Sequence, residues 1–509
     1  MNKGLRLVYP YRPEAKIKLK IVSFFLVSFL VLATLLGAQI QKVAAITENN
    51  PGKTGVSLDS EELAFFVLIN DYRRQNGLES LSLSPTLTLA SHEHSLDMAA
   101  YDYFSHDSLD GRTLADRVLD AGYIYQTPVG ENLAAGYPTA IEAFEAWKAS
   151  PDHNVNMLFG RFKVIGVGRV PDSARYYYWT TDFGGFVDSI AKRLYGQTSS
   201  ETAIAVSQKG WPNGSKVAII ARDDYFADAL AGGPLAKYVT YKYGKQAPIL
   251  LTDPHKLTEK TREEIQRLGV EKIYVIGGEG AVDNNVANQL DAIPGATVER
   301  LWGQTAYGTA LAIKGEMVLI SAQSGAAPPN TAIITTGENF PDSLVISGPA
   351  ASKNMPILLV KPFSEEPEPE TKLALQGIKS VIIVGGPGAV HPQLENWLRA
   401  NKYNVLTRLW GLSEYDTAID VASSGNSIFN FNKQTTLVTR GDYFTDALAG
   451  GAYASQGPYP MILVNTDFIP QITNLWLQGN TDQIDTVYIL GGWGAVSDGV
   501  MGKIEGSFL

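Results

Sequence analysis

In the first third of the chain, apolar positions follow a helical spacing in several separate segments. Segment 59–77 places Asp59 and Glu62 as a capping box before an apolar run, which predicts a helix. Segments 86–106 and 140–150 carry apolar residues at helical spacing and predict two further helices. This part of the chain is therefore expected to be rich in helices.

Strand-like patterns follow these helices. Ser150 is the predicted N-cap of a fourth helix, with Pro151 in its first turn. Segments 162–168 and 175–185 are apolar or alternate in polarity, which predicts strands. Segment 175–185 contains a run of aromatic residues at 176–179. Such a run is more often a half-buried strand than a ligand-binding surface, so we expect a strand there. Residues 59–188 are thus predicted to form one α+β domain.

Beyond residue 193 the pattern changes to a regular alternation of strands and helices. The apolar runs 217–221, 247–252 and 272–278 each precede a segment of helical pattern, with short links between them. Such alternation predicts a parallel sheet covered by helices, in a Rossmann-like layer.

The same alternation is written three times. Three motifs recur in constant order, and the first of them begins at positions 107 and 108 residues apart. The motifs are RL(W/Y)G…TA from Arg193, Arg300 and Arg408; F-x-D-(A/S)-L around Asp228, Asp342 and Asp446; and GG-x-GAV at 277–282, 385–390 and 491–496. A period this long fits a whole small domain. We therefore predict three tandem α/β repeats, at 193–299, 300–407 and 408–509.

The GG-x-GAV motif stands where a strand is predicted to turn into a helix. Turns of this kind can direct backbone N–H groups at an anion, although a tight turn that needs glycine for its backbone angles is the alternative. A dinucleotide site is disfavoured because the third glycine of that fingerprint is missing. The three Asp residues of the second motif are expected to be N-caps. The candidate anion-binding residues are Gly277, Gly278, Gly280, Gly385, Gly386, Gly388, Gly491, Gly492 and Gly494.

Charge separates the N-terminal segment from the rest. Residues 1–45 hold seven Lys or Arg against one acid, a net charge of +6. Since the whole chain has a net charge of −10, the residues after 45 carry a net charge of −16. Residues 21–38 are uncharged, and small side chains stand at Val43 and Ala45. This predicts a secretory signal peptide, with an uncleaved membrane anchor as the alternative, followed by a linker at 46–58. The acidic remainder argues against nucleic-acid binding through its overall field.

Few residues suggest chemistry. The chain has no cysteine, which excludes disulfides and thiolate metal sites. His106, Glu131 and His153 could together hold a divalent metal such as zinc, since imidazole and carboxylate are suitable ligands. His92 and His94 are two residues apart and not four, so they do not form a zinc-protease pair. We expect His94 to have a structural role.

The segment from Leu63 to Gly185 resembles the bacterial branch of the CAP (SCP-like) superfamily. The resemblance is carried by "INDYRRQNGL", "HSLDMA", "YFSH", "GENLA", "IGVG" and "YYYWTTDFG". It implies an α–β–α sandwich whose central cleft carries two His and two Glu. Three of these four positions correspond here to His106, Glu131 and His153. The fourth position is Ser150 instead of Glu, which removes the best candidate for a general base.

The three repeats resemble type-2 cell-wall-binding repeats of Gram-positive surface proteins. The resemblance implies Rossmann-like units packed around a pseudo-threefold axis and non-covalent binding to an anionic wall polymer. An Arg that the family usually places before Tyr-x-Thr-Ala is replaced by Ser199, Ala306 and Glu414.

Taken together, these resemblances predict a multidomain α/β protein of the cell surface. The repeats would hold it to the cell wall, while the CAP cleft binds a small, lipidic or peptide ligand. The alternative is a metal-assisted hydrolase that uses His106, Glu131 and His153.

Overall fold

The computed structural model describes residues 54–509 and divides the chain into two compact units. One unit contains the chain up to Ala191 together with Asp498–Leu509, and the other contains Lys192–Ser497. The predicted signal peptide or anchor and most of the predicted linker lie outside the described residues. From residue 54 onward, no helix is both long and apolar enough to cross a bilayer.

The first unit combines helices with one short sheet. Its elements are α1 Ser60–Gln75, β1 Ser82–Leu83, α2 Pro85–Tyr101, α3 Leu114–Asp120, β2 Val129–Ala135, α4 Ala140–Ala149, α5 Pro151–Met157, β3 Val164–Pro171 and β4 Tyr177–Gly184. The sheet order is β1-β3-β4-β2, with β1 parallel to β3 and the other pairs antiparallel. The four predicted helices and two predicted strands are confirmed, whereas β2 had no distinct sequence pattern.

Helix boundaries follow local chemistry. The capping box of α1 is present, since Asp59 accepts hydrogen bonds from the backbone of Glu61 and Glu62 at 2.8 Å. Helix α2 ends earlier than predicted because Asp102 adopts a left-handed conformation with φ 52°. The prediction of a helix as far as residue 106 was therefore wrong. The residues released from it form the loop that carries His106.

Helices cover both faces of this sheet. On one face, α2 approaches β3 so closely that a Cβ atom at Gly166 would lie 2.1 Å from the carbonyl carbon of Leu87. On the other face, Phe65 of α1 packs edge-on against Trp147 of α4, with ring centroids 5.1 Å apart. The unit is therefore the α–β–α sandwich that the sequence predicts.

The C-terminal helix, Asp498–Gly506, belongs to this first unit. Its Gly502 lies against Phe66 of α1, where a Cβ atom would come within 3.0 Å of the ring. Glu505 accepts a hydrogen bond from the backbone N–H of Leu83 at 3.0 Å. The predicted third repeat, 408–509, therefore extends past the end of the second unit.

The second unit is built from three four-stranded sheets with helices between the strands. Its strands are β5 Ala191–Leu194, β6 Val217–Arg222, β7 Ile249–Thr252, β8 Lys272–Ile276, β9 Thr297–Leu301, β10 Thr331–Thr336, β11 Ile357–Val360, β12 Ser380–Val384, β13 Asn404–Leu409, β14 Thr435–Arg440, β15 Met461–Val464 and β16 Thr486–Leu490. A short 3-10 helix, Ala229–Ala231, precedes α7.

The helices of this unit are numbered onward from the first. They are α6 Ser199–Gly210, α7 Gly232–Tyr238, α8 Thr240–Tyr243, α9 Glu259–Leu268, α10 Asn284–Asp291, α11 Ala306–Ser324, α12 Pro341–Ser352, α13 Pro369–Ala374, α14 Pro392–Ala400, α15 Glu414–Ser423, α16 Asn426–Phe429, α17 Thr445–Ala454 and α18 Gln471–Gln478. The C-terminal helix is α19. The alternation of strand and helix confirms three Rossmann-like repeats.

The three sheets share one topology, and the third is completed by the beginning of the unit. Their orders are β7-β6-β8-β9, β11-β10-β12-β13 and β15-β14-β16-β5. Strand β5 belongs to the third sheet, where Gly491 N–H donates to the carbonyl of Leu194 at 3.0 Å. Each RL-x-G motif after the first closes the sheet that precedes it. The sheet units are therefore offset by one strand from the predicted repeat boundaries.

Aromatic rings mark the axis that relates the repeats. Phe226, Phe340 and Phe444 hold equivalent positions in the second motif, and their ring centroids are 5.4, 5.4 and 5.7 Å apart. Near them, a Cβ atom at Gly233 would lie 2.1 Å from the Oγ of Ser347, so the repeats approach through small residues. The near-equal spacing shows the pseudo-threefold arrangement that the resemblance to cell-wall-binding repeats implies.

Candidate functional site

Glu131 lies at the centre of a buried polar cluster in the first unit. Strand β2 carries it, and its side chain is 1% exposed. One carboxylate oxygen is 2.6 Å from His106 Nδ1, and the other accepts from Arg117 Nη2 at 2.5 Å. Burial acts to raise the pKa of Glu131, but the hydrogen bond from His106 and the charge of Arg117 hold it below its ordinary value. Glu131 is therefore a buried, ionised and fully paired carboxylate.

His94 lies on the other side of this carboxylate. Its Nε2 donates to the backbone carbonyl of Ser105 at 3.0 Å and is 4.0 Å from Glu131. Burial lowers the pKa of His94 to about 4, so the ring is neutral at pH 7. By bonding to Ser105, His94 fixes the loop that presents His106, which agrees with the predicted structural role.

Asp182 of β4 stands directly opposite Glu131 in the sheet. It accepts a hydrogen bond from Ser91 Oγ at 2.9 Å and is fully buried. Burial, together with the negative charge of Glu131, raises the pKa of Asp182 well above its ordinary value. The cluster thus contains two carboxyl groups whose pKa values are shifted in opposite directions. Sequence reasoning missed Asp182, Arg117 and Ser91, because only strand register and helix packing bring them to Glu131.

His153 is placed differently from the sequence prediction. Its Nδ1 lies 2.8 Å from the Oγ of Ser150, and its ring lies beside that of Trp147 at 6.4 Å between centroids. Burial lowers the pKa of His153, and the charge of His106 lowers it further. Ser150 is the N-cap of α5, as predicted, although its side chain makes no capping hydrogen bond to that helix.

The three candidate metal ligands use several of their donor atoms in hydrogen bonds within the protein. Both oxygens of Glu131 are engaged by His106 and Arg117, and His106 and His153 each use Nδ1 within the protein. Across residues 54–509, no group of three or more His, Asp or Glu side chains is arranged to hold a metal ion. The residues therefore do not fit a metal held by all three side chains, and metal binding remains an untested prediction.

An open cleft of about 860 Å³ lies next to this cluster. His153, Ser150 and Trp147 line one part of it. Tyr176 and Tyr178 line another, so the aromatic run predicted as a strand also faces the cleft. A concave, mostly apolar cavity with a few polar groups is the usual form of a small-molecule site.

In the repeats, all three motifs meet at the carboxyl ends of the central strands. Gly277, Gly385 and Gly491, the first glycines of the turns, have φ of +99°, +118° and +107°, so the turns require glycine. A Cβ atom at Gly491 would lie 2.5 Å from an oxygen of Asp446, and the other two copies show the same approach. The Asp residues thus support the glycine turns.

This arrangement corrects the predicted role of two of the three Asp residues. Asp228 makes no side-chain cap bond, and Asp342 and Asp446 lie within the first turns of α12 and α17, whose N-caps are Phe340 and Phe444. Burial raises the pKa of Asp342 to about 6, although a hydrogen bond from Thr417 acts to lower it. The expectation of an N-cap was therefore wrong for Asp342 and Asp446, whereas Asp228 does hold the N-cap position of the 3-10 helix.

The RL-x-G…TA motif holds the same turns from the other side. Arg300 donates to the carbonyl of Gly277 at 2.8 Å, and Arg408 donates to that of Gly385 at 2.9 Å. In the same motif, Thr417 Oγ1 accepts from the backbone N–H of Gly411 at 3.0 Å. The repeated residues therefore form one structural network in each copy. Anion binding by the nine glycines remains a prediction, and an Asp side chain lies close to the first glycine of each turn.

An aromatic ring lies against each turn. Trp302 and Trp410, which follow the RL pairs, are 53% and 40% exposed and lie against Gly278 and Gly386. Tyr195 lies against Gly492 in the remaining copy. Three positions where the resemblance leads one to expect Arg are each the first residue of a helix. They are Ser199 of α6, Ala306 of α11 and Glu414 of α15.

Comparisons with known proteins assign families to both units. The family model described as "Cysteine-rich secretory protein family" (CAP) matches residues 66–183. The model described as "Cell wall binding domain 2 (CWB2)" matches 193–287, 300–395 and 408–501.

Individual relatives are similar over part of their length. The chain is 26% identical over 309 residues to N-acetylmuramoyl-L-alanine amidase LytC of Bacillus subtilis (strain 168). The aligned residues make up 59% of this chain and 57% of LytC. It is 34% identical over 129 residues to the uncharacterized protein YkwD of the same strain, which covers 25% of this chain and 49% of YkwD.

A solved structure, Cwp6 from Clostridium difficile, has a similar fold, with a TM-score of 0.55 and 24% identity over 63% of this chain and 48% of that one. The chain thus spans about half the length of these relatives. Since the cell wall binding models together match more than half of the chain, it belongs to the cell wall binding domain 2 family and carries a CAP domain ahead of its three repeats.

Proposed function

We propose that the three repeats hold this protein non-covalently on the bacterial cell wall, where its CAP domain is displayed. The observation that carries this proposal is the match of all three copies, over residues 193–501, to a family of cell-wall-binding domains. The wall component proposed as partner is an anionic polymer. Because the chain after residue 45 carries a net charge of −16, that polymer must be bound at local sites.

The presence of three linked repeats supports the proposed retention of the protein on the cell wall. Three linked copies turn the second and third binding events into intramolecular ones, so that modest single-site affinity yields slow release. The repeats are related by a pseudo-threefold arrangement within one compact unit, which fixes the spacing of their equivalent surfaces. A fixed spacing suits a partner that is itself repetitive, such as a polymer.

The exposed aromatic residues at the glycine turns are the proposed contact points. Trp302 and Trp410 are large, exposed and held in place by the turns against which they lie. Trp is prominent among the residues that dominate binding energy at interfaces. The same position in the remaining copy is Tyr195, which is half-buried and packs against Trp493 at 4.7 Å between ring centroids, so the proposed contact points belong to two of the three copies.

For the CAP domain we propose ligand binding in the cleft of about 860 Å³. The charged groups beside the cleft are paired with one another, since Glu131 bonds to both Arg117 and His106. Ser150 lies within 2.8 Å of His153, but the structure gives His153 no third group to orient it as a general base. The geometry thus supports binding more than catalysis.

The proposal is tested with the full chain and purified walls. We expect the protein to sediment with intact walls and to be released when anionic polymers are stripped from them. In the double variant Trp302→Ala, Trp410→Ala, retention should fall at least tenfold, because an interfacial Trp contributes roughly 2 kcal/mol.

Leu373→Ala is the matched control, since Leu373 is 52% exposed, lies on α13 and belongs to none of the three repeated motifs. This control should bind like the parent protein. Full retention by the double variant would exclude the Trp residues as contacts, and equal sedimentation with stripped walls would exclude the anionic polymer as partner.

A further inference from the structure

The cleft of the CAP domain is lined largely by aromatic rings. Tyr176 is 47% exposed, and its ring meets that of Tyr178 edge-on, with centroids 5.5 Å apart. The aromatic residues that line the cleft are Tyr103, Phe104, Tyr137, Trp147, Tyr176 and Tyr178. Aromatic faces carry partial negative charge and attract cations as well as apolar groups.

Two carboxylates share the cleft with these rings. Asp102 and Asp172 are lining residues, and among residues 54–509 neither Lys nor Arg lines the cleft. The hydroxyl of Tyr178 donates to Asp102 at 3.4 Å. Asp172 accepts backbone hydrogen bonds from Ala174 and Tyr176 at 2.8 Å, which fixes the loop that carries Tyr176.

Both carboxylates affect the pKa of the same phenol, that of Tyr178. Burial raises the pKa of Tyr178, and the negative charges of Asp102 and Asp172 raise it further. Both acids therefore act on the same region of the cleft. A negative potential over aromatic faces is the environment in which an organic cation is recognised.

The position of Asp102 gives its charge no evident structural purpose. Asp102 is the C-cap of α2, where the helix dipole disfavours a negative side chain. Its left-handed conformation, with φ 52°, would suit Asn or Gly equally well. The stability of α2 thus does not account for a carboxylate at this position, whereas binding of a cation does.

We propose that the CAP cleft binds its ligand through an organic ammonium group, held against Tyr176 and Tyr178 and neutralised by Asp102 and Asp172. This inference rests on the proposed ligand-binding function of the cleft and names the chemical class of the ligand. An anionic ligand would face two carboxylates with no Lys or Arg among the lining residues. An uncharged lipid would fit the rings but would leave both carboxylates without a role.

The test uses pairs of probes that differ in charge. Choline is compared with 3,3-dimethyl-1-butanol, its uncharged isostere, by calorimetric titration of the full chain. Nα-acetyl-lysine methylamide is compared in the same way with its Nε-acetylated form. We expect at least one amine to bind at least tenfold more tightly than its uncharged counterpart. The preferred amine separates a quaternary headgroup from a peptide amine as the natural source.

Variants assign the binding to the carboxylates. Asp102→Asn preserves the left-handed backbone, and Asp172→Asn preserves an oxygen that can accept from Ala174 and Tyr176. Each is expected to weaken amine binding at least fivefold and to leave the uncharged probes unaffected. Glu145→Gln is the control, because Glu145 is exposed on α4 and does not line the cleft.

Two results would overturn the inference: equal binding of amine and uncharged probe, or no saturable binding of either amine. Retention on walls is measured on the same preparations. Loss of amine recognition with intact wall retention contradicts only the cleft proposal, whereas loss of wall retention in the parent protein contradicts the proposed function of the repeats.

Discussion

At the scale of single residues, the interior of the CAP domain is organised by one ionised carboxylate. Glu131 is stable inside the protein because Arg117 and His106 both bond to it, while the pKa of its neighbour Asp182 is raised by burial and by the charge of Glu131. Removing one member of a buried ion pair leaves the other charge without compensation, which costs more than the pair itself contributes.

We therefore expect Glu131→Gln to destabilise the CAP domain by about 3 kcal/mol, because Arg117, whose side chain is 4% exposed, would lose its charged partner. Hydrogen exchange of strand β2 in the full chain measures the effect. Glu79→Gln is the control, since Glu79 forms an exposed ion pair with Lys163 and should change stability by less than about 1 kcal/mol. Equal effects of the two variants would contradict this account of the cluster.

A second carboxyl group predicts a pH dependence in the repeats. Burial raises the pKa of Asp342 from 3.8 to about 6, so the folded state holds a proton that the unfolded state has released between these values. The contribution of Asp342 to the free energy of unfolding must then fall as pH rises from 3.8 to about 6, by up to roughly 3 kcal/mol.

Asp342→Asn removes this titration. Its stability relative to the parent protein should therefore increase between pH 4 and pH 6 and then level off. Denaturant unfolding of both proteins at several pH values provides the difference, and Asp291→Asn, at an exposed position, is the control. A difference that does not vary with pH would show that Asp342 does not titrate in this range.

At the scale of elements, close approach between helix and sheet decides which residues are allowed. Strand β3 contains Gly166 and Gly168, and α2 crosses them at backbone contact distance. The IGVG segment was recognisable in the sequence as part of the CAP resemblance. Its physical reason, the absence of room for a side chain, appears only when the helix is in place.

Gly168→Ala should therefore destabilise the domain by roughly 3 kcal/mol, since its Cβ atom would lie 2.4 Å from the backbone N of His92. Hydrogen exchange of β3 and α2 measures the loss. Gly160→Ala, whose Cβ atom would meet only Leu78 at 3.5 Å, is the matched control and should have little effect. If both variants were tolerated equally, the packing of α2 on β3 would be looser than described.

Sequence patterns predicted most elements but not every site contact. The capping box and the helical spacing of α1 are local signals, so that helix was predictable. Strand β2 carries Glu131 but is short and lacks clear alternation, so only pairing with β4 defines it. The same limit explains the error at Asp342. A strand-to-helix position suggests an N-cap, whereas the packed turn uses the carboxyl group elsewhere.

At the scale of the whole molecule, chain order and spatial grouping differ at both ends of the repeats. Strand β5 precedes the other strands of the second unit in the chain but completes the third sheet. Helix α19 follows the third repeat in the chain but belongs to the CAP unit. In α19, Glu505 accepts from the buried backbone N–H of Leu83. The CAP unit therefore depends on residues that the chain supplies last.

This dependence predicts that Glu505→Ala lowers the stability of the CAP unit by about 1 to 3 kcal/mol, because a buried N–H loses its acceptor. Hydrogen exchange at residues 82–84 of the full chain measures it locally. Lys503→Ala, at an exposed position of the same helix, is the control. Unchanged exchange at 82–84 in the Glu505 variant would show that α19 does not stabilise this unit.

The sequence by itself determined the three repeats, their motifs, their Rossmann-like class and the α+β class of the first domain, because these follow from local periodicity and from residues repeated along the chain; the α–β–α arrangement of that domain was an implication of the CAP resemblance. Only the tertiary structure decided that Asp182 and Arg117 surround Glu131, that Asp342 lies at a glycine turn, and that the last helix completes the first unit. These are contacts between residues far apart in the chain, and their geometry depends on strand register and on packing that no local pattern encodes.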